Sequence, residues 1–241
     1  MIKFVTDLGL EVPSVTKEKM EEIDRYVTEV TGPNLYQMME NTGQNLAKLA
    51  IDVLGEKWQK ADILILAGYG RKGGGVICAA RHLANRNARV YLCLANQERL
   101  SQVPAYQYKL YKYTTGKETL LHEIAEKTPD LIIDGLIGYS ADGIVRGNIL
   151  KLIQWANFVD APILSLDIPS GVDATTGETA GESIQPTWTI TLALPKTGLV
   201  PGKTGSLFLA DIGIPELVFR KIGIQYQSPF DHRFRVPLFT K

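Results

Sequence analysis

Cysteine, histidine and tryptophan are scarce in this sequence: two, three and three residues in 241. Two cysteines cannot build a disulfide framework, and no C-x-x-C spacing exists to hold zinc. Cys78 falls in an expected helix and Cys93 in an expected strand, both apolar, so they read as small buried hydrophobes rather than reactive thiols. An excess of charge is missing too: lysine plus arginine is 26 and aspartate plus glutamate is 26. That balance offers no electrostatic footprint for nucleic acid. No apolar run approaches the roughly 20 residues that span a bilayer. The opening residues, Met1 to Asp7, lack a signal-peptide pattern. The expected setting is therefore a reducing cytoplasm, without membrane or nucleic acid. A G-x-S-x-G elbow is also absent, which disfavours a serine hydrolase. His82, His122 and His232 fall in a helix, a surface helix and the tail, and none reads as a base.

What the chain does have is hydrophobic residues, 45% of the total, in short ordered blocks. One domain over 1–241 accommodates them, with a core at about 12–223 and a tail, 224–241, without clear periodicity. Thr16 is placed to cap a first helix carrying Met20, Ile23 and Val27 on one face. Gly32-Pro33 breaks the chain, and a second helix is expected over 34–54. Gly43 inside it costs about 1 kcal/mol against alanine, which suggests a close approach there. Unbroken apolar runs at 62–67, 89–94, 130–134 and 162–167 read as strands covered on both faces. Helices are expected between them, near 74–87, over 101–128 with a split at Gly116, and near 149–159. Two more strands are expected at 187–194 and 205–211, then a short helix at 216–221. Strand alternating with helix predicts an α/β fold with a mostly parallel sheet and right-handed crossovers.

In such a sheet ligands sit beyond the carboxyl ends of the strands. Four exits matter. The first, Gly68 to Gly75, is a glycine-rich segment opening a helix, with Arg71 and Lys72 inside it. Bare amides and a helix N-terminus suit an anion; the alternative is a merely tight turn. It is neither a Walker loop nor a clean G-x-G-x-x-G. The second exit holds Asn96 and Gln97, where a ribose-binding dehydrogenase would place an acid. The third and fourth exits each carry an aspartate, Asp134 and Asp167, at a poor strand position well placed to meet a ligand. Asp167 is followed by Ile-Pro-Ser-Gly, a turn that restricts its freedom, as general acid–base chemistry requires. The alternative is that Asp167 only accepts loop hydrogen bonds, and that Asp134 holds a cation or caps a turn. Lys196 and Lys203 near the same edge read as solvated.

Six segments together resemble the YjeF N-terminal domain family, the NAD(P)H-hydrate epimerases. They are LYQMMENTGQNLA (35–47), GYGRKGGGVICAARHLANR (68–86), DGLIGYSADGIVRG (134–147), LSLDIPSGVDATTGE (164–178), TWTITLALPKTGL (187–199) and LADIGIP (209–215). The resemblance implies a Rossmann-like three-layer αβα sandwich. It implies interconversion of the R and S forms of NADHX or NADPHX, dihydronicotinamide cofactors hydrated at ring carbon 6. A separate ATP- or ADP-dependent dehydratase would then act on the S form, and a homodimer is expected. By position, Asp167 looks like the acid–base carboxylate, and Asp134 and Ser170 look like potassium ligands. Arg71, Lys72, Gly73, Gly74 and Gly75 look like substrate contacts, and so does a diphosphate cradle of Gly138, Tyr139, Ser140, Ala141, Asp142, Gly143 and Ile144.

The chain departs from the family pattern at Asp142, where some relatives carry lysine, at Val76, where glycine is usual, and most of all in the glycine segment. Where the family carries Asn-Asn-Gly-Gly-Asp it reads Arg71-Lys72-Gly73-Gly74-Gly75. Lysine replaces the asparagine expected to touch potassium, and its ammonium could stand in for the ion. The added positive charge would suit a phosphate. The same changes are compatible with a non-catalytic nucleotide-binding or scaffold protein on this fold.

Overall fold

The computed structural model describes residues 2–140 and 143–241. Among these, ten strands form one sheet: β1 (Phe4–Thr6), β2 (Glu11–Val12), β3 (Asp62–Ala67), β4 (Arg89–Leu94), β5 (Lys117–Glu118), β6 (Leu131–Gly135), β7 (Ile163–Leu166), β8 (Trp188–Leu192), β9 (Ser206–Ala210) and β10 (Arg235–Thr240). Their order is β2-β1-β10-β9-β8-β7-β6-β3-β4-β5. From β9 through β5 every neighbour is parallel. The two terminal segments add the antiparallel edge.

The helices are α1 (Lys17–Tyr26), α2 (Leu35–Leu54), α3 (Arg71–Ala84), α4 (Gln102–Tyr111), α5 (Gly147–Phe158) and α6 (Glu216–Lys221). Strand alternation sorts them into two layers. Ile63 and Ile65 of β3 pack with residues of α2, α3 and α4, while Leu64 and Leu66 pack with Leu152, Ile153 and Ala156 of α5. Likewise Phe208 and Ala210 of β9 join the first group, and Leu207 and Leu209 meet α1 and α6. The result is the Rossmann-like three-layer αβα sandwich. Residues 63 to 67 of β3 are fully buried. Each buried Ile or Leu contributes about 1.5–3 kcal/mol, so this strand is a main anchor of the core.

Capping follows the sequence closely. Thr16 accepts a hydrogen bond from the Lys19 amide at the start of α1. Asn34 and Gln37 form a reciprocal capping box at the start of α2. Three expectations need correction. Residues 101–128 are not helical throughout: α4 stops at Tyr111, and β5 and a 3₁₀ turn (Ile124–Glu126) follow. There the Tyr111 hydroxyl donates to the Lys117 carbonyl at 2.9 Å, and the Thr114 hydroxyl accepts from the Gly116 amide at 3.1 Å, so side chains replace the helical ladder. The tail supplies β10, an interior strand between β1 and β9. Pro237 argues against a strand in sequence, yet Val236 and Leu238 are buried on one face. The third correction, α3 beginning at Arg71, bears on the site.

The α2–α3 contact also explains one thiol and one histidine. A Cβ on Gly43 would lie 2.4 Å from Cys78 Sγ, so glycine there permits the helix approach. Beside it, Arg81 Nη2 donates to Glu40 Oε2 at 2.5 Å, and His82 Nε2 lies 2.8 Å from Glu40 Oε1. Burial first, then the Glu40 charge, pushes the Cys78 thiol up to about 12. Burial likewise pushes Cys93 up to about 12. Both thiols are expected to ignore Ellman's reagent in the native protein and react only on unfolding. Rapid release of one equivalent by folded protein would show this packing to be wrong.

Candidate active site

A cleft of about 1120 Å³ opens at the carboxyl ends of β3, β6, β7 and β8, with α1 supplying Met20 and Asp24 to its wall. The chain leaves β3 toward β4 on one side and returns to β6 on the other. That reversal separates the β3 and β6 exits, and in open α/β sheets such a switch point is where ligands bind.

The glycine segment proves to be mostly helix. Gly70 is the N-cap of α3, and residues 71 to 75 form its first turns rather than a loop. Two of its glycines are required by backbone contact. A Cβ on Gly68 would lie 1.9 Å from the Leu136 carbonyl oxygen, and one on Gly73 would lie 2.0 Å from the Gly68 oxygen. The β3 exit, the first turn of α3 and the β6 exit therefore touch backbone to backbone. Gly74 packs against Met39 and Pro104 and does not line the cleft, whereas Gly70, Arg71, Lys72, Gly73 and Gly75 do. Glycine at the cap offers no side chain to the first-turn amides. They are left for a ligand or water.

Lys72 does not project into solvent. Its side chain is 4% exposed, and its ammonium donates to Asp134 Oδ2 at 3.0 Å, Ser170 Oγ at 2.9 Å and the Ile168 carbonyl at 2.7 Å. The acceptors are equally engaged. Asp134 Oδ2 also takes Ser165 Oγ (2.9 Å) and the Ser170 amide (3.0 Å). Its Oδ1 takes Ser170 Oγ (2.5 Å) and the Leu136 amide (3.1 Å). Ser170 Oγ accepts from the Ile137 amide at 2.9 Å. Burial presses the Lys72 amine below its ordinary value and Asp134 opposes this. The third and fourth strand exits are thus stitched to α3 by one buried ion pair. Its charge is neutralised internally, so Lys72 adds no positive field for a phosphate.

Asp167 directly follows β7 with φ +65°, a left-handed conformation in which aspartate is one of the better-tolerated residues. It is 5% exposed and lines the cleft. Oδ1 carries all its bonds to described residues: Lys196 Nζ at 2.5 Å, Thr191 Oγ1 at 3.1 Å and the Leu192 amide at 3.2 Å. Among the described residues nothing donates to Oδ2. Lys196 corrects the expectation of a solvated side chain: it is 1% exposed, and also donates to the Leu192 carbonyl at 3.0 Å. It follows the exit of β8, and β8 neighbours β7, which puts the cation beside the carboxylate. Lys203 is half-buried and donates to the Gly177 carbonyl at 2.7 Å.

The facing wall holds residues that sequence reading passed over. Asp24 of α1 accepts a hydrogen bond from the Tyr139 hydroxyl and one from Arg71 Nη1 at 3.3 Å. Burial pushes Asp24 up from the usual carboxylate value, and these partners act against it. The ring of Tyr139 lies 5.7 Å from the Lys196 ammonium, and burial raises the tyrosine hydroxyl. The only advance signal for Asp24 was its place beside the apolar stripe of α1. At the second exit, Asn96 spends its side chain on capping a 3₁₀ turn, accepting from the Arg99 amide at 3.3 Å. Arg99 stacks on the Tyr69 ring at 4.4 Å at the cleft wall. Of the expected cradle, Gly138, Tyr139, Ser140, Gly143 and Ile144 line the cleft, and Ala141 and Asp142 lie outside the described residues.

Comparison with known proteins agrees with this architecture. The chain is 45% identical over 232 residues to an NAD(P)H-hydrate epimerase of Dehalogenimonas lykanthroporepellens, covering 95% of this chain and 94% of that one. It is 31% identical over 254 residues to enhancer of mRNA-decapping protein 3 of Gallus gallus, covering 99% of this chain but 47% of that protein. The crystal structure of yeast ynu0, YNL200c, superposes with a TM-score of 0.78 at 20% identity, over 90% of this chain and 98% of that one. Residues 35–198 match the family described as YjeF-related protein N-terminus. With the sheet order, the switch-point cleft and these similarities together, the chain belongs to the YjeF-related N-terminal family.

Proposed function

We propose that this protein is an NAD(P)H-hydrate epimerase that interconverts the R and S forms of NADHX or NADPHX. One observation carries the reading above all: Asp167 lines the cleft at the strand ends, with Oδ1 anchored and Oδ2 without a donor among the described residues. A carboxylate fixed on one oxygen and open on the other is suited to moving a proton at the open oxygen, Oδ2. The cleft is large enough for a dinucleotide. Arg71, Arg99 and the first-turn amides of α3 are placed to meet its phosphates. The strong likeness to an epimerase over nearly the full length supports the same conclusion.

In this mechanism the chemistry involves no redox change. Asp167 delivers a proton to the C6 hydroxyl, which leaves as water while the ring nitrogen supplies electrons and an iminium forms. Water adds to C6 from the opposite face and gives its excess proton to solvent, and Asp167 is reprotonated from solvent. Lys196 holds the carboxylate in place and balances its charge. Anchoring of the remote phosphates keeps the ring in register through the planar intermediate. The product of value is the S form, which a separate ATP- or ADP-dependent dehydratase would consume. The family resemblance supports a homodimer and a cytoplasmic setting.

The test is to mix purified protein with R-NADHX and follow both isomers by chromatography. Equilibration well above the buffer rate is the expected result. A second reading, a nucleotide-binding scaffold, draws on the likeness to the decapping enhancer and on the altered residues 71–75. It predicts a thermal shift with nucleotides and isomers that equilibrate no faster than in buffer.

A further inference from the structure

We propose that the Lys72 ammonium is a built-in monovalent cation, occupying the place at the β3–β6 switch point that the family resemblance gives to potassium. The protein then holds this site together without any metal ion.

The argument starts from the donor set. A carboxylate oxygen of Asp134, the hydroxyl oxygen of Ser170 and the carbonyl oxygen of Ile168 converge on one point, contributed by two strand exits. Hard oxygen donors with a single formal negative charge are what a small alkali cation takes. Here that point is the Lys72 nitrogen. An ammonium has three donors and no acceptor, and three acceptors face it at 2.7–3.0 Å. The match of number, charge and distance is complete. A potassium ion does not fit beside it. The remaining capacity of Asp134 is spent on Ser165, Ser170 and the Leu136 amide. A second cation a few ångströms from the ammonium would be repelled without water to screen it.

The tether changes what the site costs to fill. A free ion must be bound from solution, so its stabilisation varies with concentration. Lysine on the first turn of α3 is delivered by folding itself. The same ammonium ties α3 to β6 and β7, which also fixes the turn 168–171 that follows Asp167. This assignment concerns the support beneath the cleft and does not depend on which reaction the cleft performs.

The experiment reads stability, so its outcome is separate from that of the epimerase assay. Melting temperatures of wild type, Lys72→Asn and Lys72→Met are measured in potassium chloride and in choline chloride at equal ionic strength. Wild type is expected to melt at the same temperature in both. Lys72→Asn exposes the oxygen cluster, and is expected to melt lower in choline and to recover with potassium along a saturating curve. Lys72→Met fills the space without charge, and is expected to be destabilised alike in both salts. If Lys72→Asn does not fold in choline, refolding yield replaces the melt, with recovery in potassium alone as the supporting result. A saturable potassium-specific rise in wild type would overturn the proposal. So would a Lys72→Asn variant that responds to potassium no more than Lys72→Met does.

Discussion

Asp167→Asn is expected to slow epimerisation of R-NADHX by about 10²–10⁴-fold while leaving a folded, nucleotide-binding protein. Asparagine is the informative replacement. Residue 167 sits at φ +65°, where asparagine is tolerated and alanine is strained. An amide oxygen can still accept from Thr191, the Leu192 amide and Lys196, so Oδ1 and its three partners survive. The change falls on Oδ2. An NH₂ group takes its place, facing the cleft, and it can neither hold nor deliver the proton that C6 exchange requires. Lys196 loses its counter-charge, so some loss of stability accompanies the loss of rate. The check is a time course of isomer interconversion for both proteins, with NADPH affinity measured in parallel. Isomers that equilibrate at the wild-type rate in Asp167→Asn would remove this residue from the chemistry.

Asp134→Ala is expected to produce the largest loss of stability of any side-chain truncation at the site, about 3–5 kcal/mol, the range for breaking a buried ion pair on one side. For a chain of this size each kcal/mol lowers the melting temperature by about 2–4 °C, so the shift is on the order of 6–20 °C. Truncation leaves the Lys72 ammonium buried and removes the acceptor of four other hydrogen bonds. The loss carries a pH signature. Burial already lowers the Lys72 amine from its ordinary 10.5, and Asp134 is the first opposing cause. Without Asp134 the folded state releases that proton more readily than the unfolded chain does. Between the lowered folded value and the ordinary unfolded one, the unfolded state binds more protons, so stability rises with pH. Thermal melts of wild type and variant between pH 7 and 10 should therefore converge. The double variant Lys72→Met/Asp134→Leu should regain part of the loss, because it removes both charges. A single variant that melts within a degree of wild type would show that the ion pair does not hold these strand exits.

The central strands were legible because burial on both faces leaves an uninterrupted apolar signature. The run at 62–67 coincides with β3, and that at 89–94 with β4. A helix start was legible where its cap is chemically explicit, as at Thr16, whereas the Asn34 capping box emerged only from the structure. The edge of the sheet was not legible. Phe4–Thr6 is too short to show a period, and Pro237 interrupts the pattern of β10, so pairing with distant strands alone makes them strands. The glycine segment was legible as special and illegible in kind. Its spacing is equally that of an anion loop and of a helix start pressed against two backbones. Only the Leu136 carbonyl, 68 positions along the chain from Gly68, separates those cases.

The fate of the lysines shows the same division. The family resemblance singled out Lys72 as a stand-in for the ion, but nothing local distinguishes Lys196 from Lys203. By itself the sequence determined a parallel α/β sandwich and two aspartates at strand ends, because periodicity and turn chemistry are properties of neighbouring residues. Only the tertiary structure decided that each aspartate is matched by one buried ammonium, Asp134 by Lys72 and Asp167 by Lys196. The physical reason is that an ion pair survives burial only when its geometry satisfies both charges, and that geometry is set by which strands become neighbours in the sheet.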